Sequence, residues 1–242
     1  MIFANFKTMM RIEDVAFYFS ELKEQLNNEN SHVVFFPSFT HLPYAQHHLA
    51  DTNWALGAQN MADDVVPNYT GEITAGLLKE QGVKYVLLGH AERRLRCKET
   101  NAVVRKKVEV ALQQKLQPVV CIGENLSCKL AGRTQAFLRR QISAICKGLQ
   151  ESCEIIWAYE PIYAIGAKTS PKQEDIALAV RYIQRCMAKY SNISYKILYG
   201  GSVSSSTAHE ILQIQGVDGL LLGRAGTKVE ELVSIVRAYE SK

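Results

Sequence analysis

The sequence predicts an α/β fold, a closed single-domain (β/α)8 barrel, and three observations lead to that prediction. Eight apolar, strand-like runs alternate with longer helix-like segments along the 242 residues. The length is close to the roughly 250 residues typical of such barrels. No linker rich in Pro, Gly or Ser divides the chain, so we expect one domain spanning residues 1–242.

The strand-like runs are short and rich in branched and aromatic residues, as expected of buried parallel strands. They occupy residues 2–6, 32–36, 54–58, 84–89, 117–122, 154–159, 195–199 and 217–222. An open doubly wound sheet is the alternative arrangement of the same elements. The glycine-rich loop of dinucleotide-binding sheets does not follow the first run, and the P-loop pattern is absent from the sequence. The closed barrel is therefore favoured.

Between these runs the apolar period changes to that of a helix. Three apolar stripes predict buried helix faces: Val15, Tyr18, Phe19, Leu22 and Leu26; Val104, Val108, Ala111 and Leu112; and Ile176, Ala179, Val180, Ile183 and Met187. Ser170-Pro171-Lys172-Gln173 predicts the start of the third helix, with Ser170 as the N-cap and a proline at the first helical position. Another helix is expected from about Ser204.

Composition and charge argue against several functional classes. The chain is 47% hydrophobic and 21% charged, and its formal net charge is only +4. This excess is too small and too scattered to indicate a nucleic-acid partner. The densest basic cluster, residues 93–96, has acidic neighbours and predicts a solvated or ion-paired face. No segment approaches the roughly 20 apolar residues of a membrane span.

The six cysteines also help to predict the cellular compartment of the protein. They form no C-x-x-C pair, so we expect reduced thiols and no zinc site. The first apolar run is too short for a signal peptide. A cytoplasmic location is predicted.

Reactive groups of such barrels lie where the strands end, and three ends carry candidates. Asn5 and Lys7 point to the same side of the first strand. His90 stands at a strand-to-helix junction, where the helix dipole favours a neutral imidazole. Glu160 ends the sixth run before Pro161, and desolvation there would make it a stronger base than in water. Taken singly, the lysine is better explained as a solvated side chain and the glutamate as a capping or paired carboxylate. The alternative for the histidine is capping or local packing.

Two glycine-rich segments follow the last two strands. Tyr199-Gly200-Gly201-Ser202 precedes one helix and Leu222-Gly223-Arg224-Ala225-Gly226 precedes another. Glycines let backbone N–H groups approach an anion, and helix N-termini add their dipoles. Because barrels frequently bind phosphate with these two loops, the pair predicts a phosphate-bearing ligand.

Over essentially its whole length the chain resembles the triosephosphate isomerase family. The motifs that carry the resemblance occur in the family's order and at near-family spacing. They are Asn5-Phe6-Lys7, Gly57-Ala58-Gln59-Asn60, Tyr69-Thr70-Gly71-Glu72-Ile73, Gly89-His90-Ala91-Glu92-Arg93-Arg94, Cys121-Ile122-Gly123-Glu124, residues 158–166, Tyr199-Gly200-Gly201-Ser202 and Asp218-Gly219.

The resemblance implies a TIM-barrel enzyme that interconverts dihydroxyacetone phosphate and D-glyceraldehyde 3-phosphate through an enediolate. Glu160 would be the base, neutral His90 the electrophile, and Lys7 the cation that holds developing charge, with Asn5 beside it. Phosphate would be bound by Gly166, Gly201, Ser202, Gly223 and Arg224. No metal or organic cofactor is implied, because the substrate carbonyl is itself the electron sink.

The family also implies a homodimer, with Thr70 in the loop that reaches the neighbouring subunit. Glu92, Glu99, Gln59 and Asn60 match positions that would serve as ion-pair or scaffolding residues.

Three positions and the length of one loop depart from the family pattern. Ala91 replaces a serine, Tyr163 replaces a tryptophan at the lid hinge, and Arg224 replaces a glycine. The lid, residues 164–168, is one residue shorter than the family's Ala-Ile-Gly-Thr-Gly-Lys. We expect the Arg224 side chain to point outward.

Two other functions remain open at this stage. A Schiff-base aldolase would need a lysine deep in a later strand, and the nearest candidate, Lys196, is expected at the strand start, away from the mouth. A noncatalytic homologue would be favoured by loss of Lys7, His90 or Glu160, yet all three are present.

Overall fold

Eight parallel strands close into a barrel in the computed structural model, which describes residues 1–26, 32–64, 70–149, 152–165 and 171–242. The strands follow one another in chain order, and β1 pairs with both β2 and β8. Their bounds are β1 Ile2–Asn5, β2 Val33–Phe36, β3 Ala55–Ala58, β4 Tyr85–Leu88, β5 Gln117–Ile122, β6 Cys153–Tyr159, β7 Ile193–Tyr199 and β8 Gly219–Leu222. The predicted closed barrel is confirmed, and every predicted strand is found within two residues of its expected ends.

Helices follow the strands on the outside. They are α1 Ile12–Leu26, α2 Leu42–Leu49, α3 Ala75–Glu80, α4 Ala91–Arg96, α5 Asn101–Gln113, α6 Leu126–Leu130, α7 Thr134–Cys146, α8 Gln173–Met187, α9 Ser205–Leu212 and α10 Val229–Glu240. Short 3₁₀ segments lie at Phe39–His41, Ile162–Ala164 and Arg224–Thr227. Within the described residues, no helix combines the length and apolar character that crossing a membrane requires.

The three predicted apolar stripes lie on α1, α5 and α8 and face the sheet. Their residues are buried, except that Leu112 is only partly so. The helix predicted from about Ser204 is found as α9, which begins at Ser205, and Ser204 at its N-cap forms a capping box with Thr207. The start of α8 differs from the prediction, because the helix begins at Gln173 with Lys172 as its N-cap. Ser170 lies outside the described residues.

Apolar side chains fill both faces of the sheet. One core lies between strands and helices and includes the fully buried Trp157 and Phe19. The other fills the barrel and includes Phe3, Leu87 and Leu198. Because these side chains fill its interior, the barrel is a packed core rather than a pore. Burying each such side chain contributes on the order of 1.5–3 kcal/mol.

Strand alternation gives the barrel interior two different ends. Every second residue of β6 faces the barrel interior, which gives Glu154, Ile156 and Ala158. The next residue in this alternation is Glu160, just beyond the end of the strand. Lys196 shares the inward face of β7 with Leu198. One end of the barrel therefore holds Glu160, and the opposite end holds Glu154 and Lys196. All six cysteines lie in the described part of the chain, and none of them forms a disulfide.

Candidate active site

Three chain segments bring Lys7, His90 and Glu160 to one mouth of the barrel. Lys7 follows β1, His90 follows β4, and Glu160 follows β6. Since all strands are parallel, these three positions lie at the same, carboxyl-terminal end. The structure therefore brings together the three residues on which the sequence prediction depended.

His90 and Glu160 form a buried hydrogen-bonded pair. His90 Nε2 lies 3.2 Å from Glu160 Oε1, and the two side chains are only 6% and 5% exposed. His90 is also the N-cap of α4, where its Nδ1 accepts a hydrogen bond from the backbone N–H of Glu92 at 3.2 Å. A protonated Nδ1 could not accept that bond, so the contact is made by the neutral ring with its proton on Nε2.

Proton affinities in this pair are set by opposing effects. Burial raises the pKa of Glu160, whereas His90, the Cys121 thiol and Lys7 lower it, and the net result is a lowered pKa. The expectation of a stronger base is therefore wrong for this arrangement, because the contact with His90 outweighs desolvation. Burial lowers the pKa of His90, but the neighbouring Glu160 carboxylate raises it, with a net increase. Each shift favours the charged form of the partner, whereas the hydrogen bond from the Glu92 N–H to His90 Nδ1 favours the neutral ring.

The backbone of Lys7 has an unusual conformation and is fixed by hydrogen bonds. Its φ is +50°, a left-handed conformation that costs a non-glycine residue free energy. Its N–H donates to Asn5 Oδ1 at 3.0 Å, and its carbonyl accepts from Ser38 Oγ and Gln59 Nε2 at 2.9 and 2.8 Å. These bonds fix the direction of the side chain, whose Nζ donates to Glu92 Oε1 at 2.6 Å. Gln59 and Glu92 therefore have the scaffolding and ion-pair roles expected of them.

Glycines allow other strand ends to approach Glu160 closely. A Cβ added to Gly200 would lie 2.8 Å from Glu160 Cγ, and one added to Gly123 would overlap the carbonyl of Glu160. A Cβ at Gly223 would lie 3.9 Å from Lys7 Cε, so the end of β8 is near the lysine. Glycine at position 200 leaves room for the Glu160 side chain, and glycine at position 123 leaves room for the Glu160 backbone.

The predicted phosphate-binding residues lie in the loops after β7 and β8. Ser202 Oγ donates to the carbonyl of Ala164 at 2.6 Å, which ties the β7 loop to the segment after Glu160. Gly201 and Gly223 are partly exposed, and the side chain of Arg224 is exposed. The outward direction expected for Arg224 agrees with this. Gly166 lies outside the described residues.

Comparisons with known proteins agree on one family along nearly the whole chain. The family model described as triosephosphate isomerase matches residues 1–239. A triosephosphate isomerase of Alkaliphilus oremlandii is 37% identical over 223 residues, which cover 90% of each chain. One of Alkaliphilus metalliredigens is 36% identical over 242 residues, 98% of each chain.

The chain belongs to the triosephosphate isomerase family. Its enzyme class is accordingly that of the intramolecular oxidoreductases, the aldose–ketose isomerases. Both the sequence resemblance and the fold predicted from it are confirmed.

Two departures from the family pattern can now be located. Ala91, which stands where the resemblance led us to expect serine, is buried at the first position of α4 and lines a narrow gap beside Glu160 and Arg94. Glu160 Oε2 has no hydrogen-bond partner among the described residues. Tyr163 lies in the 3₁₀ segment after Glu160, where burial, with Glu124 and Asp175, raises its pKa to about 12.

Sequence reasoning missed two residues of this site. The sequence predicts only a reduced thiol at Cys121, yet Cys121 faces the barrel interior and hydrogen-bonds Glu160. Arg94 was assigned to a solvated or ion-paired face, an assignment that fits Arg93 because Arg93 pairs with Glu99. Arg94 instead donates to the carbonyls of Gly89 and Cys121 at 2.7 and 3.2 Å. Cys121 follows Val119 in the alternation of inward-facing residues along β5. That alternation is the sequence signal that could have placed Cys121 in the barrel interior.

Proposed function

We propose that this chain is a triosephosphate isomerase, interconverting dihydroxyacetone phosphate and D-glyceraldehyde 3-phosphate through an enediolate in glycolysis and gluconeogenesis. The observation that carries the proposal is the hydrogen bond of 3.2 Å between His90 Nε2 and Glu160 Oε1. It brings a proton donor and a carboxylate base together at one barrel mouth, in a chain of this family.

Glu160 is the base in this mechanism. Its carboxylate removes a proton from the carbon beside the substrate carbonyl and returns it to the neighbouring carbon. The carboxylate is buried, with one oxygen unpartnered among the described residues. When substrate separates Glu160 from His90, the contact that lowers its pKa is lost and burial raises its basicity.

His90 is the electrophile. Its Nε2–H donates to the substrate carbonyl and then exchanges protons with the two oxygens of the enediolate. Once Glu160 is displaced, burial and Lys7 favour a lower pKa for His90. The N–H of Glu92 keeps Nδ1 unprotonated, so the ring remains a neutral donor with its proton on the catalytic side.

Lys7 supplies the positive charge for the enediolate. Its Nζ exchanges Glu92 for the developing oxyanion, with Asn5 beside it. The fixed backbone of Lys7 reduces the reorganisation that this requires. The substrate phosphate is bound by Gly166, Gly201, Ser202, Gly223 and the backbone of Arg224, at the loops from which barrels commonly bind phosphate.

Several features of the assembly belong to the same proposal. The enzyme is a cytoplasmic homodimer of single-domain chains, each spanning residues 1–242. Thr70, which is exposed here, contributes to the dimer interface. The mechanism uses no metal and no organic cofactor, since the substrate carbonyl accepts the electron pair.

A coupled isomerase assay on the purified protein tests the proposal. We expect turnover of both triose phosphates, and His90→Gln to lower kcat/KM by at least about 100-fold. The matched control is His209→Gln, because His209 is exposed on α9. Absence of activity in folded wild-type protein would support the noncatalytic alternative instead.

The aldolase alternative has less support. Lys196 lies inside β7 rather than at its first residue, and it lines a cavity together with Met1, Lys84 and Glu154 at the other end of the barrel. An amine there is remote from Glu160, so a carbon–carbon cleavage activity lost in Lys196→Met would be needed to revive this function.

A further inference from the structure

A cavity of about 550 Å³ opens at the amino-terminal end of the barrel, opposite the candidate active site. Four lysines line it: Lys79, Lys84, Lys115 and Lys196. Its volume lies within the roughly 300–1,000 Å³ of small-molecule sites. None of the residues in our proposed mechanism contributes to its wall, so it is a separate feature of the fold.

The cavity has an excess of positive charge. Glu154 is the one carboxylate among its described lining residues. No ion pair or hydrogen bond joins any of the four ammonium groups to another described residue. Four cations brought together with a single carboxylate repel one another, and an anion that neutralised the excess charge would reduce that repulsion.

The positions of two of these lysines are set by a strand and by the end of a helix. Lys196 lies on the inward face of β7, in step with Leu198 of the barrel core. Lys115 directly follows the C-cap of α5 and has a φ of +59°, the left-handed conformation that glycine adopts most easily. A strained lysine where glycine would cost less is evidence that the side chain is used.

The residue types narrow the class of anion. No arginine is among the described lining residues, so the planar, bidentate recognition typical of carboxylate sites is missing. Several point-charge ammonium groups suit a compact anion with multiple charges, such as a chain of linked phosphates. Tyr85, Leu112 and Leu116 provide an apolar part of the wall for an uncharged group.

We propose that this lysine cavity, defined by Lys79, Lys84, Lys115 and Lys196, is a second ligand site that binds a polyphosphate-bearing small molecule. The phosphate chain contacts the lysines, and any attached uncharged group lies against Tyr85. This proposal does not depend on the proposed isomerase activity.

Titration calorimetry at constant ionic strength tests it with two probes, tripolyphosphate and ATP. We expect saturable binding to the wild-type protein, weakened at least tenfold in Lys84→Gln/Lys196→Gln. The control variant is Lys147→Gln/Lys189→Gln, which removes the same charge from exposed positions outside the cavity. Its affinity should stay within twofold of wild type. Tighter binding of ATP than of tripolyphosphate identifies a nucleotide site, and the reverse order identifies a site for the phosphate chain alone.

Two further measurements keep the test decisive. Triose phosphate turnover should be unchanged in Lys84→Gln/Lys196→Gln, since neither lysine belongs to the proposed mechanism. Lys115→Gly offers an independent variant if the double variant folds poorly, and it should also weaken binding. Equal losses in the cavity and control variants, or full binding in the cavity variants with competition by triose phosphate, would overturn the proposal.

Discussion

His90 and Glu160 pair with each other at the barrel mouth, where His90 Nε2 lies 3.2 Å from Glu160 Oε1. The second carboxylate oxygen, Glu160 Oε2, has no partner among the described residues. The pair lowers the pKa of the carboxyl and raises that of the imidazole. In the proposed mechanism, a substrate that separates the pair reverses both effects. Binding would then generate the reactivity, because the free site holds the two groups in a less reactive state.

Shortening the base should damage catalysis more than binding. Glu160→Asp retracts the carboxylate by one methylene, and we expect kcat to fall at least about 100-fold with little change in KM. Steady-state assays in both directions measure this. Glu154→Asp, at the opposite end of β6, is the control and should retain activity within twofold. An unchanged kcat for Glu160→Asp would remove this residue from the mechanism.

A methyl group at position 200 should displace the same carboxylate. Because a Cβ there would lie 2.8 Å from Glu160 Cγ, we expect Gly200→Ala to lower kcat at least about tenfold. Gly76→Ala is the matched change, since its Cβ would have no neighbour closer than 3.8 Å. Similar kinetics for both variants would show that the contact at Gly200 is relieved without moving the base.

Glu124 should make stability depend on pH. Burial raises the pKa of this carboxyl, so the folded state holds its proton at pH values where the unfolded state has lost it. The free energy of unfolding therefore falls as the pH rises from the unfolded pKa through the raised folded pKa. We expect Glu124→Gln, which still offers an acceptor to Tyr159, to be more stable than wild type at pH 7 and similar at pH 4. Urea titrations at the two values measure this, and a lower stability at pH 7 would contradict it.

Relief of backbone strain at position 115 should stabilise the protein. Lys115→Gly removes the cost of a left-handed lysine, and we expect a gain of about 1 kcal/mol, or roughly 2–4 °C in Tm. Lys147→Gly is the control, because Lys147 has a φ of −60° and glycine there should give no gain. Differential scanning calorimetry distinguishes them, and equal shifts would argue against strain.

Arg94 should act as a clamp between strand ends. Its guanidinium bonds the carbonyls of Gly89 and Cys121 and the side chain of Asn101. A lysine cannot reach all three acceptors, so Arg94→Lys should lose about 1–3 kcal/mol of stability. The exposed Arg96→Lys change should be neutral in the same denaturation experiment. Equal stabilities would mean that water replaces the lost bonds without cost.

Periodicity predicted the parts of the fold that repeat. The alternation of strands and helices gave all eight strands and the buried stripes on α1, α5 and α8, because burial acts on whole faces. The direction of single side chains was harder to predict. Arg94 could not be distinguished from Arg93 by composition, since only the meeting of β4 and β5 supplies its carbonyl partners. The net pKa of Glu160 depends on a contact across the barrel mouth with His90, 70 residues away in sequence, and burial alone predicted the wrong direction.

The inward row of β6 has carboxylates at both of its ends, Glu154 and Glu160, with Ile156 and Ala158 between them. Six residues of extended strand separate the two by about 20 Å. At an effective dielectric constant near 20, a unit charge at that distance contributes on the order of 0.8 kcal/mol, or about half a pKa unit. Distance therefore limits the electrostatic coupling between the two ends of the barrel. Charges at the lysine end can be altered, by evolution or by design, with little effect on the proton affinity of Glu160.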